Sequence, residues 1–100
     1  MIKREEFIRK LKGDVERLNA HLGRWQAKAR AAGADARSRY DRQIAVLRER
    51  RERALIKLRQ VQSSSAGAWQ DVAVGANAAW KQMRQAFQQA KARFEREPPR

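Results

Sequence analysis

The chain has no cysteine, one histidine, two prolines and five glycines. Without cysteine there is neither a disulfide nor a thiolate metal site, and His21 alone cannot build an imidazole cluster. No apolar run reaches the roughly 18–20 residues that a membrane-spanning helix requires. The opening residues Met1-Ile2-Lys3-Arg4-Glu5-Glu6-Phe7 mix both signs of charge and lead into no apolar segment. No secretory signal is expected from them, and a cytoplasmic protein is the default. Strand-like alternation is missing along the whole length, which leaves helices.

Alanine and positive charge are abundant. Eighteen residues are Ala, 17 are Arg and seven are Lys, and 24 basic residues against 11 acidic ones give a formal charge of +13. One hundred residues fit a single small domain. With so much of the apolar content in Ala, the expected architecture is long helices packed along narrow seams.

The seams can be read directly. Ile8, Leu11, Val15, Leu18, Leu22, Trp25, Ala29 and Ala32 recur at alternating intervals of three and four, an unbroken heptad stripe. Glu5 with Arg9 and Glu6 with Lys10 add acid-first pairs one turn apart. A second stripe runs Tyr40, Ile44, Leu47, Arg51, Ala54, Leu58 and Val61, broken only by Arg51. Between the stripes lies Ala32-Gly33-Ala34-Asp35, where Gly33 is suited to a left-handed cap and Asp35 to the N-cap of a following helix. Folding the chain back there pairs 8 with 61, 15 with 54, 22 with 47 and 29 with 40, all at one constant index sum. The competing reading is one continuous helix over about 3–62, because a lone Gly among alanines need not break a helix.

Ser63-Ser64-Ser65-Ala66-Gly67 is the stronger break, with Ser65 or Ser64 as the N-cap of a third helix. That helix carries Trp69, Val72, Ala73, Ala76, Trp80, Met83, Phe87, Ala90 and Phe94 on one broad face, and Pro98-Pro99 is expected to stop it.

Chemistry-bearing constellations are few. In Arg48-Glu49-Arg50-Arg51-Glu52-Arg53 six consecutive charges surround the helix. One reading has Arg51 reach past Leu18 to Asp14 or Glu16 and fix the pairing register. The other has Arg48, Arg50, Arg51 and Arg53 bind phosphates. Net charge divides as +5, +5 and +3 over 1–34, 35–62 and 63–100, so no single recognition element stands out, and no helix-turn-helix, zinc-finger or basic-zipper pattern is present. His21 lies off the stripe, the serines have no nearby base and no Gly-rich phosphate loop occurs.

Several of these residues carry a family resemblance. Phe7, Trp25, Ala27-Lys28-Ala29, Tyr40, Ile44, Leu47 and Leu58, then most specifically Ser65-Ala66-Gly67-Ala68-Trp69-Gln70-Asp71, Gly75, Ala78-Ala79-Trp80, Phe87 and Phe94, span nearly the whole chain. In these the chain resembles small bacterial coiled-coil or apolipoprotein-like domain proteins of uncharacterised function. The resemblance implies an extended, self-associating helical protein and supplies no activity.

The expected fold is all-α: an elongated antiparallel helical coiled coil of three long helices over about 3–32, 36–62 and 66–96. The first two are joined by a hairpin or run on as one helix. Residues 1–97 form a single domain and 98–100 a C-terminal tail. The expected role is that of a non-enzymatic interaction or structural protein that self-associates, with Trp69, Val72, Ala76, Trp80, Met83, Phe87 and Phe94 as the candidate oligomer or partner interface. Two alternatives are a non-specific nucleic-acid binder using the basic surface, and an anionic-membrane surface binder using the third helix as an amphipathic element. No catalytic residue, cofactor, metal or small-molecule substrate is expected.

Overall fold

A computed structural model describes residues 3–96. Three helices follow one another, α1 (Arg4–Ala31), α2 (Ala34–Ser63) and α3 (Trp69–Arg96), with no strand among the described residues. They form an all-α bundle measuring 53 × 17 × 16 Å, close to the length of one 30-residue helix. The 98–100 tail and the Pro98-Pro99 stop lie outside the described residues.

The break at Gly33 is a hairpin, which excludes the continuous 3–62 helix. Leu11, Val15, Leu18, Leu22, Trp25 and Ala29 are buried on α1, and Tyr40, Ile44, Leu47, Ala54, Leu58 and Val61 on α2, as the two mirrored stripes require. At the N-terminal end Phe7 is buried and Ile8 only partly so, since the stripe turns there toward α3.

The turn itself differs from expectation. Ala32 (φ −83°, ψ 157°) and Gly33 (φ −65°, ψ 165°) are both extended, and no glycine among the described residues has positive φ. Gly33 occupies the N-cap position and its carbonyl receives the Arg37 amide, while Asp35 lies inside the first turn of α2. There its carboxylate faces the positive end of the helix dipole and does not cap a backbone amide. Two extended residues suffice to reverse the chain.

The serine segment also acts differently. Ser63 and Ser64 end α2: the Ser64 hydroxyl donates to Val61 O at 2.7 Å and the Ser63 hydroxyl to Gln60 O at 3.3 Å. The hydroxyls thus satisfy carbonyls left open at the end of α2, and Ser64 is no N-cap for α3. Ser65 leads onward through its carbonyl, which accepts from the Ala68 and Trp69 amides at 3.1 Å. Arg4 ties this corner down by donating to Ser64 O across the top of α1.

α3 packs into the angle between the other two helices, antiparallel to α2 and parallel to α1. Phe94, 1% exposed, is stacked between Trp25 (centroids 4.9 Å, 6° between planes) and Tyr40 (4.5 Å, 25°). One ring therefore joins all three helices at the hairpin end. At the other end Phe7 meets Trp80 edge-on at 5.4 Å and Trp69 at 6.5 Å.

Candidate nucleic-acid interface

α1 and α3 run parallel with a constant offset. Asp14 lies against Trp80, His21 against Phe87 and Lys28 against Phe94, each pair 66 positions apart. Both sets recur every seven residues, so the register holds along the seam. The Trp80 indole N–H donates to Asp14 Oδ2 at 2.6 Å, and the Lys28 ammonium donates to the Phe94 carbonyl near the end of α3. The polar tips of Trp80 and Lys28 thereby have partners, which is the condition for burying them. His21 sits edge-to-face on Trp25 and Phe87, with Nδ1 2.9 Å from Arg17 O.

Because rings hold α1 and α3 apart, a groove runs along their outer junction. Its lower part is lined by Arg9, Lys10, Gly13, Asp14, Arg17, Trp80 and Arg84. Its upper part, an opening of about 250 Å³, is lined by Asp14, Arg17, Leu18, His21, Met83, Arg84, Phe87, Gln88 and Lys91. Asp14, Arg17 and Arg84 belong to both, so the groove is continuous. Five cations line it against one carboxylate, and that carboxylate is already engaged by Trp80 and Arg17. Arg84 lies over the Trp80 ring at 5.1 Å, a cation–π contact that holds the guanidinium at the groove wall. Lys10 is shared with Glu6 at 3.4 Å.

The arginines 48, 50, 51 and 53 do not converge. Arg48 and Arg53 are exposed and Arg50 is half-buried, with Arg53 and Arg50 both directed to Glu49 at 2.9 and 3.9 Å. Glu52 reaches Arg59 at 3.7 Å. Arg51 does lie against α1, as the hairpin register requires, but it donates to Asn19 Oδ1 at 2.9 Å and meets neither Asp14 nor Glu16. Asp14 faces α3 instead, where Trp80 holds it. The Arg51 Nε is buried without a hydrogen-bond partner, so this arginine breaks the stripe at some cost in stability.

The aromatic face of α3 is largely inside the molecule. Ala76, Trp80, Met83 and Phe94 are buried in the bundle's own core, while Trp69, Val72 and Phe87 are partly covered. That broad face is covered because α1 and α2 both pack on it. What stays open is a shallow apolar groove of about 400 Å³ among Phe7, Trp69, Ala73, Val74 and Trp80, with Val74 74% exposed.

No helix among the described residues is long and apolar enough to cross a membrane, and none of their His, Asp and Glu side chains form a group of three able to hold a metal. The α1/α3 groove was not anticipated. Its signal was present as Lys10 and Arg17 on one helix and Arg84 and Lys91 on another, each pair seven apart, but only the parallel offset brings the two rows together. The fold defines the protein as an all-α three-helix bundle. Protein-family models, curated proteins and solved structures provide no match to the chain.

Proposed function

We propose that this chain is a non-enzymatic helical binding protein whose ligand is a nucleic-acid backbone, held without sequence selection along the α1/α3 groove. The observation that carries this reading is the charge of that groove: Arg9, Lys10, Arg17, Arg84 and Lys91 surround one carboxylate that is already engaged. A concave surface of one sign concentrates an oppositely charged polymer by its field. The formal charge of +13 extends that attraction over the whole bundle.

The test is a fluorescence-anisotropy titration of labelled nucleic acid at roughly 50 and 200 mM salt. Affinity is expected to fall steeply with salt. Replacing Arg17, Arg84 and Lys91 together by Gln should lower both affinity and the salt slope, the latter by about 2 if each cation meets one phosphate. Absence of binding at the lower salt would remove the reading.

Self-association is a second reading, favoured by the open groove at Trp69 and Val74. A light-scattering mass of a single chain at micromolar concentration would dispose of it. Attachment to an anionic membrane by a flat-lying α3 has less support, since that helix would first have to withdraw Phe94 and Trp80 from the core.

A further inference from the structure

We infer that the α1/α3 groove takes a single strand in preference to a duplex, with a base seated on its aromatic floor between the cations. This rests on the nucleic-acid reading above and specifies its ligand. Three features of the groove carry it.

The first is the floor. Phe87 is only partly buried and lies between His21 at 4.9 Å and Trp25 at 5.6 Å, with Trp80 under Arg84 lining the adjoining stretch of the groove. Cations above an aromatic floor are the pairing that unstacked bases use, phosphates on the charge and base faces on the rings. A duplex keeps its base faces in its own stack, so it would meet the ridges through phosphates and leave the floor unfilled.

The second is the placement of charge. Lys10 and Arg17 form one wall, Arg84 and Lys91 the other, and the seven-residue interval within each wall is about 10 Å. A strand lying in the groove therefore meets positive charge on both sides of its backbone. Lys10 and Arg17 are offset by Glu6 and Asp14 much as Arg53 and Arg59 on α2 are by Glu49 and Glu52, but Arg84 and Lys91 are in no ion pair among the described residues and make the α3 wall the more positive.

The third is a polar edge beside the rings. His21 Nδ1 faces the Arg17 carbonyl, so in the neutral ring the proton sits on Nδ1 and Nε2 is an acceptor. With the Gln88 amide on the opposite wall, the groove offers a base edge both a donor and an acceptor. These are sequence-tolerant contacts, in keeping with a binder that does not select sequence.

The experiment compares a labelled short oligothymidylate with a random-sequence duplex of the same length, using the full chain. Three proteins are titrated: the wild type, Phe87→Leu, and Arg48→Gln/Arg53→Gln. The wild type should bind the single strand at least about tenfold more tightly than the duplex, and Phe87→Leu should weaken the single strand by roughly 5- to 100-fold while leaving the duplex unchanged. The α2 double variant should leave the preference intact. Equal affinities, a duplex preference, or a folded Phe87→Leu protein with undiminished single-strand binding would overturn the inference while leaving the nucleic-acid reading standing. Binding of neither polymer would remove that reading as well. Circular dichroism checks that Phe87→Leu folds. If it does not, the wild-type tryptophan emission decides: the oligothymidylate should change it through Trp80, which lines the groove, and no change at saturation would overturn the inference.

Discussion

The two sides of α3 are built on opposite principles. Toward α1 it presents Trp80, Phe87 and Phe94, and these rings meet Phe7, His21 and Trp25 across the widest helix separation in the bundle. Toward α2 it presents Gly75 against Lys57, with Phe94 stacked on Tyr40 at the hairpin end, and α3 packs more closely on α2 than on α1. The Lys57 stem lies against Gly75, where an added Cβ would meet Lys57 Nζ at 3.7 Å. Small side chains bring helix axes together and large ones hold them apart. The wide seam therefore opens into a groove with a ring-lined floor. Packing at the core and the shape of the outer surface are thus one decision, taken by side-chain size on the two flanks of a single helix.

The comparison is broken most severely by Phe94→Ala, which removes the ring stacked between Trp25 and Tyr40. The expected loss is about 3–5 kcal/mol, read as a fall in Tm of roughly 12 °C or more in a thermal melt. A fall of only a few degrees would mean that the hairpin end is not held by that ring. Next comes Ala76→Leu, at a fully buried site on α3. Added volume has nowhere to go in a close seam, so a loss of about 1–3 kcal/mol is expected in urea unfolding. No loss would show that the helices can separate at little cost.

A smaller effect is expected from Asp14→Ala, which leaves the Trp80 indole N–H without its acceptor. Asp14 has a side chain 20% exposed, so water can partly replace the bond and the loss should be about 1–2 kcal/mol. Trp80 emission should shift to the red as that water enters. The smallest change has the opposite sign. Gly75→Ala should stabilise α3 by about 0.5–1 kcal/mol, because it removes a helix-interior glycine and the new methyl meets the Lys57 stem at ordinary contact distance. A destabilised protein would place the α2/α3 seam closer than its geometry allows.

Most of the architecture was legible from heptad spacing, for a physical reason: a residue repeated every three and four positions must share one helix face, whatever it packs against. The Tyr40 to Val61 stripe followed from that alone, whereas spacing left a hairpin and a continuous helix both open; the hairpin register, once formed, places Arg51 against α1 as expected. Its partner is not the expected one, since Asp14 and Asn19 lie five residues apart on adjacent flanks and spacing does not say which flank meets α2. Turn chemistry was the weaker guide. Gly33 suggested a left-handed cap, yet its φ is −65°, and the serine hydroxyls that suggested an N-cap close the preceding helix instead. Short polar side chains serve either end of a helix, so their presence marks a boundary without assigning its polarity.

The candidate site was less legible than the fold. The charge run at 48–53 stood out because its residues are adjacent in sequence, but adjacent residues on a helix point in different directions and that run disperses around α2. The groove cations are scattered between Arg9 and Lys91 and became a site only through the 66-residue offset between α1 and α3.

The sequence by itself determined an all-helical chain, the break near Ser63–Ser65, the faces turned inward and the sign of the surface charge, because each is a local property of composition and period, while at Gly33 it left a hairpin and a continuous helix both open. Tertiary structure alone decided that α3 lies parallel to α1, that rings run along the α1/α3 seam and reach α2 at Tyr40, and that five separate cations share a groove. Those outcomes depend on how whole faces fit in three dimensions, and one-dimensional spacing holds no record of the distance between helices.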